Sequence, residues 1–375
     1  MKILLLSAYH ADSHQRWCDG MIKAMPEHQW TLLDLPPRYF SWRVRGNSLS
    51  WAFSERQHLE RSYDLVIATS MVDLSALRGF VPALGQIPTL VYFHENQFAY
   101  PVTDNAHPSV EPQILNLYTA LCADVVAFNS NYNRRTFLQG VEELLRRLPD
   151  KLPLGLVERL RQRSRVLPVP LEDDLFVAAK GKEPAVEHKQ GEELWPFDSA
   201  ERPLRLLWAA RWEYDKGPDL LLLTLRQLRE REIPFQLCLM GQKFRTIPRE
   251  FETIEKQFSH ELVQYGYETS GARYRRWLRS ADVVLSTARH EFQGLAVLEA
   301  IAAGCLPVLP DTLAYPELVD SHYLYGVAGD LASQASAAME RIQALAEEGS
   351  APDVCRFAWA NQRRPYRQLF EELVS

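Results

Sequence analysis

The chain has 375 residues, 46% of them apolar and 24% charged, and a formal net charge of −6. This composition excludes a disordered, collagen-like or coiled-coil chain. The length points to two domains, because a single core rarely grows past roughly 250–300 residues. The acidic balance argues against blanket nucleic-acid binding and leaves room for local basic faces. Five scattered cysteines, Cys18, Cys122, Cys238, Cys305 and Cys355, form no C-x-x-C pair, so neither a disulfide framework nor a zinc ribbon is expected.

The start, Met1–Ser7, has too short an apolar run for a secretory leader and reads as a buried strand over Lys2–Ser7. Ser54–Arg61 reads as helix. Leu65–Ala68 and Thr89–Phe93 are apolar strands running into polar loops, Pro112–Ala123 has helical spacing, and Val125–Phe128 is another buried strand. The alternation stops between Pro168 and Pro203, where charged residues crowd together with four prolines from Pro168 to Pro196. That segment suits an interdomain connection with a surface insert. The pattern then restarts with strand Leu204–Ala209, helix Gly217–Arg229, strand Phe235–Met240, helix Tyr274–Ser280, strand Val283–Ser286, helix Leu295–Ala303 and strand Leu306–Leu309. Short apolar strands alternating with helices predict an α/β chain, with a covered parallel sheet in each half. The expected division is an N-terminal domain over 1–170, a linker or insert over 171–203, a second domain over 204–352 and a tail over 353–375. Two such halves suit a ligand held in a cleft at the carboxyl ends of the strands. No stretch approaches ~18 apolar residues, so no membrane span is expected, and a reducing cytoplasm is the expected location.

The strongest local signal is E-x7-E, from Glu291 to Glu299, after the strand Val283–Ser286. Gly294 would let a ligand approach the backbone, and the first-turn N–H groups of the following helix can receive an anion. Alone, the pattern also fits a capped helix with incidental acids. Arg211 and Lys216 follow the strand Leu204–Ala209 in one loop. Arg as a fork and Lys as a point charge suit a diphosphate and would stabilise its departure; the alternative is a pair of solvated cations. In the first half, His94-Glu95-Asn96-Gln97 leaves the strand Thr89–Phe93 with the mixed donors and acceptors that sugar recognition requires. His94 also fits a buried structural histidine; as a zinc ligand it lacks a second ligand at the right spacing.

R-x4-K before E-x7-E, each after a strand of the same half, resembles the retaining family 4 glycosyltransferases of the GT-B fold, two Rossmann-like domains facing a central cleft. The resemblance implies a nucleotide-sugar donor. It implies that Arg211 and Lys216 hold the diphosphate, Glu291 the sugar hydroxyls and Glu299 the ribose, with Gly294 and Leu295 supplying backbone amides. Tyr92-Phe93-His94-Glu95-Asn96-Gln97 with Tyr100-Pro101, Leu35-Pro36-Pro37 through Trp42-Arg43, Ala123-Asp124-Val125-Val126 through Ser130, Ser286 through Phe292, and Tyr315-Pro316-Glu317 resemble the queuosine-tRNA mannosyltransferases more narrowly. The likeness covers about residues 1–170 and 204–320. It implies mannose transfer from GDP-mannose to the cyclopentenediol of queuosine in tRNA, aspartate tRNA by resemblance. His94, Arg211, Lys216 and Glu291 would be catalytic, and Ser13, His14, Asn96, Gln97 and Asn129 would lie on the acceptor side. No metal or other cofactor is implied. The family's first loop usually reads Gly-Gly-Ser-His; here it reads Ala11-Asp12-Ser13-His14, which adds a side chain and a charge.

Three basic segments could meet tRNA. Residues 134–165 hold nine Lys/Arg against four acids; residues 273–279 hold four Arg around Tyr274 and Trp277; residues 356–367 hold four Arg with Trp359 and Tyr366. Such segments can track phosphates and stack unpaired bases, and they also fit solvated helix faces. The rival readings are a family 4 glycosyltransferase with a lipid-linked or small-molecule acceptor, a tRNA-binding protein without catalysis, and a sugar-phosphate epimerase.

Overall fold

The computed structural model describes residues 1–100, 109–150, 155–176, 194–196, 202–243 and 246–375. The chain divides into two units, Met1–Pro170 with Trp359–Ser375, and Leu171–Ala358.

The first unit runs β1 (Lys2–Ser7), α1 (Asp12–Ala24), β2 (Gln29–Asp34), α2 (Phe40–Ser54), α3 (Arg56–Leu59), β3 (Leu65–Thr69), α4 (Leu74–Phe80), β4 (Thr89–Phe93), α5 (Glu111–Cys122), β5 (Val125–Phe128), α6 (Asn131–Arg147), α7 (Leu156–Arg163) and β6 (Ser164–Val166). Its six-stranded sheet has the order β2-β1-β3-β4-β5-β6 with parallel pairing throughout. Ile3 to Leu6 are all fully buried, which explains their unbroken apolar run: helices cover both faces of the sheet.

The second unit runs β7 (Leu204–Ala209), α8 (Pro218–Glu230), β8 (Phe235–Met240), α9 (Arg249–Gln257), β9 (Leu262–Gly266), α10 (Gly271–Ser280), β10 (Val283–Leu285), α11 (Leu295–Ala302), β11 (Leu306–Pro310), β12 (Leu324–Tyr325) and α12 (Leu331–Glu348). Its sheet order is β12-β11-β10-β7-β8-β9, again parallel. The last helix, α13 (Trp359–Val374), belongs to the first unit. Tyr366 is buried there, accepting from the Trp17 indole at 2.8 Å and donating to the Pro168 carbonyl at 3.1 Å.

Each sheet grows from its first strand in one direction, then reverses. The reversal falls between β1 and β3 in the first unit and between β7 and β10 in the second. In such sheets ligands bind at the carboxyl ends of the strands flanking the reversal. The loops leaving β7 and β10 carry Arg211, Lys216 and Glu291.

Several expectations are corrected. Asp12, Ser13 and His14 are the first turn of α1 rather than a loop. The helix expected over Ser54–Arg61 is the end of the longer α2 followed by the single turn α3. The presumed connection supplies Leu171, Leu175, Leu194 and Trp195 to the second unit's core, where the Trp195 indole donates to Ser280 at 2.8 Å. Residues 177–193 and 197–201 of that segment lie outside the described residues. Val354 and Phe357 also pack in the second unit, so the returning segment starts at Trp359 rather than at Asp353. Among the described residues, no helix is long and apolar enough to cross a membrane.

Candidate active site

In the second unit the loops after β7 and β10 interlock. Arg289 and His290 donate their backbone N–H groups to the Asp215 carbonyl at 2.8 and 3.2 Å. Thr287 donates its hydroxyl to the Lys216 carbonyl at 2.8 Å and accepts from the Trp208 indole at 3.0 Å. Gly217 turns the chain at φ 63°, and a Cβ there would collide with the Thr287 carbonyl oxygen. The close approach of the two loops therefore requires glycine.

Lys216 is pinned by this arrangement. Its side chain is 8% exposed, and Nζ donates to the His290 carbonyl at 2.8 Å and to Glu291 at 3.2 Å, with Asp215 Oδ2 at 3.3 Å. Arg211 reaches Glu213 at 2.6 Å and lies 3.7 Å from Asp215. Burial pushes the Asp215 carboxyl up, but the His290 hydrogen bond and the Lys216 and Arg211 charges outweigh it and hold the group at about 2. Glu291 is likewise held below its ordinary value: burial opposes ionisation, while the Lys216 charge and the Gly294 N–H favour it. Lys216 is thus withdrawn from solvent, while Arg211 keeps an exposed side chain. Arg211 and Lys216 stand among Glu213, Asp215 and Glu291, for a local net charge of −1.

The second glutamate is fixed separately. Glu299 is buried on α11 and accepts from the Tyr274 hydroxyl at 2.7 Å. Gly294 opens α11 at φ 74°; a Cβ there would come within 3.0 Å of the Tyr315 ring, whose hydroxyl bonds Ser286 at 2.6 Å. Glu291 Oε1 takes the N–H groups of Phe292 and Gln293 at 3.1 and 3.4 Å. Leu295 begins the helix, where first-turn N–H groups have no acceptor within the helix.

In the first unit, His14 and His94 bring their rings to 4.1 Å, with the Trp17 edge 4.9 Å and Tyr92 4.7 Å from His94. Burial pulls both imidazoles down, His94 well down, so both are neutral at pH 7. His14 Nε2 lies 3.9 Å from Glu95, and Ser13 Oγ lies 3.4 Å from His14 Nδ1. Neither ring nitrogen of His94 has a hydrogen-bond partner among the described residues.

The two acceptor-side asparagines are engaged within the protein. Asn96 is fully buried. It donates to Asn133 Oδ1 at 2.8 Å and Thr136 Oγ1 at 2.9 Å, and accepts the Phe98 and Ala99 N–H groups at 3.0 Å each. Asn129 donates to the His94 carbonyl at 2.8 Å and accepts from Asn133 at 2.8 Å. Both amides help to hold the loop that carries His94. Gln97 is half-buried, with its backbone N–H given to Asn116 at 2.8 Å.

The tRNA-queuosine alpha-mannosyltransferase N-terminal model matches residues 2–171, and the model of group 1 glycosyl transferases matches residues 190–358. A Drosophila melanogaster protein named tRNA-queuosine alpha-mannosyltransferase is 33% identical over 330 residues, covering 88% of this chain and 84% of its own. The chain belongs to the tRNA-queuosine alpha-mannosyltransferase family. A Xanthomonas oryzae protein named GDP-mannose:cellobiosyl-diphosphopolyprenol alpha-mannosyltransferase is 27% identical over 188 residues, 49% of each chain. Among solved structures, Anabaena HepE with UDP and glucose gives a TM-score of 0.67 at 14% identity, covering 99% of this chain and 100% of its own. Sucrose-phosphate synthase from Thermosynechococcus elongatus gives 0.66 at 15% identity, covering 100% and 96%. At those identities the structures show the fold alone, which is GT-B. The chain is a glycosyltransferase.

For a family whose named member modifies tRNA, the expected stacking residues need correction. Trp277, Trp359 and Tyr366 are buried and present no free ring face, and Tyr274 is half-buried with its hydroxyl bonded to Glu299. The neighbouring cations are engaged too: Arg273 pairs with Glu268 at 3.3 Å, Arg275 with Asp174, and Arg363 and Arg367 with Glu27. Arg356 donates to the Glu317 and Leu318 carbonyls. In segment 134–165, Arg134, Arg135 and Arg161 line a surface cavity of about 360 Å³ with Asn131, Gln139 and Glu142; residues 151–154 lie outside the described residues. Sequence reasoning missed Asp215, His290 and Asn133. Asp215 lay in view between the two cations of its loop, but its role depends on the β10 loop folding over it.

Proposed function

We propose that this chain transfers mannose from GDP-mannose, with retention, to the cyclopentenediol of queuosine in tRNA. The observation that carries this reading is family membership over 88% of the chain, joined to the fixed Lys216–Glu291 pair at the sheet reversal. Arg211 and Lys216 take the diphosphate, Glu291 the mannose hydroxyls and Glu299 the ribose. Arg211, 40% exposed at its side chain, exchanges Glu213 for a phosphate oxygen. Neutral His94 offers a hydrogen bond rather than a proton. In the reaction the C1–O bond to the β-phosphate breaks as the acceptor hydroxyl oxygen bonds C1 on the same face, and the leaving phosphate oxygen takes the hydroxyl proton. The protein contributes positioning and charge stabilisation. With two fixed cations on the leaving group, no metal ion is required. A tRNA acceptor suits a cytoplasmic reaction, with segment 134–165 as a phosphate-tracking face.

The test is transfer of radiolabelled mannose from GDP-mannose to bulk tRNA, with queuosine-lacking tRNA as control and with EDTA in parallel. Label in queuosine-containing tRNA alone, unaffected by EDTA, is expected. Label in neither tRNA would remove the acceptor assignment. Activity lost to EDTA and restored by a divalent ion would remove the metal-free mechanism.

A further inference from the structure

Resting on the tRNA reading above, we propose that the start of α2, Arg38 to Arg45, is a stacking platform for unpaired bases of the acceptor RNA. From Leu35 to Ser54 the sequence holds three Arg, no acid and five aromatics. Trp51 is spent on the core. The other four face solvent: Tyr39 is 72% exposed, Phe40 38%, Trp42 53% and Phe53 67%. Rings left in water at this density are a departure from ordinary surface composition.

The platform is built. The Trp42 indole lies flat over Gly46, where any Cβ would collide with the ring. Tyr39 adopts the left-handed conformation, φ 56° and ψ 53°, which bulky side chains rarely take. It turns the chain from Pro36-Pro37 into the helix and leaves the phenol outward, with the Arg38 guanidinium 5.7 Å over its ring. Phe40 meets Tyr9 edge-on at 5.8 Å. Arg43 is buried, and its Nε has no hydrogen-bond partner among the described residues.

Its position ties it to the acceptor side. Tyr9 belongs to the loop after β1, and the next residue, His10, donates its N–H to the Leu35 carbonyl at 2.9 Å. From the same helix, Asn47 donates to the Met71 carbonyl at 3.0 Å and accepts the Asp73 N–H at 2.9 Å, which fixes the loop after β3. Asn116 then bonds the Ser70 carbonyl at 3.0 Å and takes the Gln97 N–H at 2.8 Å, next to His94. The flanks of the platform are therefore bonded to the loop that leads into α1, where His14 lies, and, through the loop after β3 and Asn116, to the loop that carries His94. Arg45 pairs with Asp73 at 3.1 Å and Glu111 at 3.0 Å, which braces the helix, and Arg38 is the cation left beside the exposed rings. Exposed ring faces with a cation beside them complement a single strand, whose bases stack and whose phosphates are anionic. An anticodon loop, with its splayed bases, is the occupant these features select.

The experiment compares the wild-type chain with Tyr39→Ala, Trp42→Ala, Trp42→Phe and Gly46→Leu. It measures KM for queuosine-containing tRNA, tRNA retention on filters and GDP release without acceptor, with thermal melts to verify folding. Each alanine variant should raise KM and weaken retention about tenfold or more, with the loss in KM rather than in GDP release. Trp42→Phe should recover most of it. Gly46→Leu, which displaces the indole without removing it, should behave as Trp42→Ala. An isolated anticodon stem-loop should show the same ratios. Unchanged KM in both alanine variants of an active enzyme would overturn the platform and leave the function standing. So would an effect confined to self-association of the chain. A wild-type chain that labels no tRNA from GDP-mannose would instead overturn the function on which the platform rests.

Discussion

Lys216 stands between Asp215 and Glu291 at 3.3 and 3.2 Å, with a carbonyl as its third partner. An ammonium held this way needs no reorganisation when the leaving diphosphate develops charge, which is the condition for strong electrostatic catalysis. Lys216→Met should lower mannose transfer by about 100-fold or more, the usual cost of deleting one such group. It should also destabilise the fold by about 2–3 kcal/mol, because two partly buried carboxylates then face each other unpaired. Glu291→Gln keeps the shape and should lose transfer without a comparable fall in Tm. Equal activity in both would detach this loop from catalysis. Asp215 gives a pH signature. Its folded value, about 2, lies below the unfolded carboxylate value, so its ionised form stabilises the fold. That stabilisation, roughly 2 kcal/mol, is complete above about pH 4 and is lost as pH falls toward 2. Asp215→Asn should flatten this part of the acid-unfolding curve while impairing transfer, because it releases Arg211 and Lys216. An unchanged acid limb would deny Asp215 that role.

At the scale of elements, the loop after β4 is held by amides from α6. Asn133 donates to the Phe93 carbonyl at 2.9 Å and to Asn129 at 2.8 Å, and accepts from Asn96 at 2.8 Å. Asn133→Ala strands three buried polar partners and should cost about 2–4 kcal/mol. Loss of transfer should accompany it through displacement of His94, and a melt within a degree of wild type would refute the network's role. These bonds also explain what the sequence concealed. Strands buried on both faces, such as Lys2–Ser7 and Phe235–Met240, are legible as apolar runs, and so are the loops that follow them. Gln29–Asp34 and Leu262–Gly266 are edge strands, half-exposed and compositionally mixed. The duty of Asn96 depends on a helix dozens of residues away and that of Asn129 on the His94 carbonyl of a distant loop, and polarity in a loop reads equally well as a ligand contact. Lys216 and Glu291 were legible because each follows a strand. Their meeting depends on β7 and β10 being neighbours, which only the sheet order discloses.

The whole molecule holds two parallel sheets of one plan. The second unit carries the paired cations and carboxylates of the loops after β7 and β10, and the first carries the buried histidines and the exposed aromatic face of α2. The acidic net charge of −6 does not oppose an RNA substrate, because segment 134–165 holds nine Lys/Arg against four acids. The central claim is the acceptor nucleoside and the sugar placed on it. The most direct measurement is mass spectrometry of nucleosides from tRNA treated with the chain and GDP-mannose. A hexose on queuosine and on no other nucleoside, absent when queuosine is absent, is the expected result. A hexose on a different nucleoside, or queuosine left unmodified while GDP is released, would contradict it.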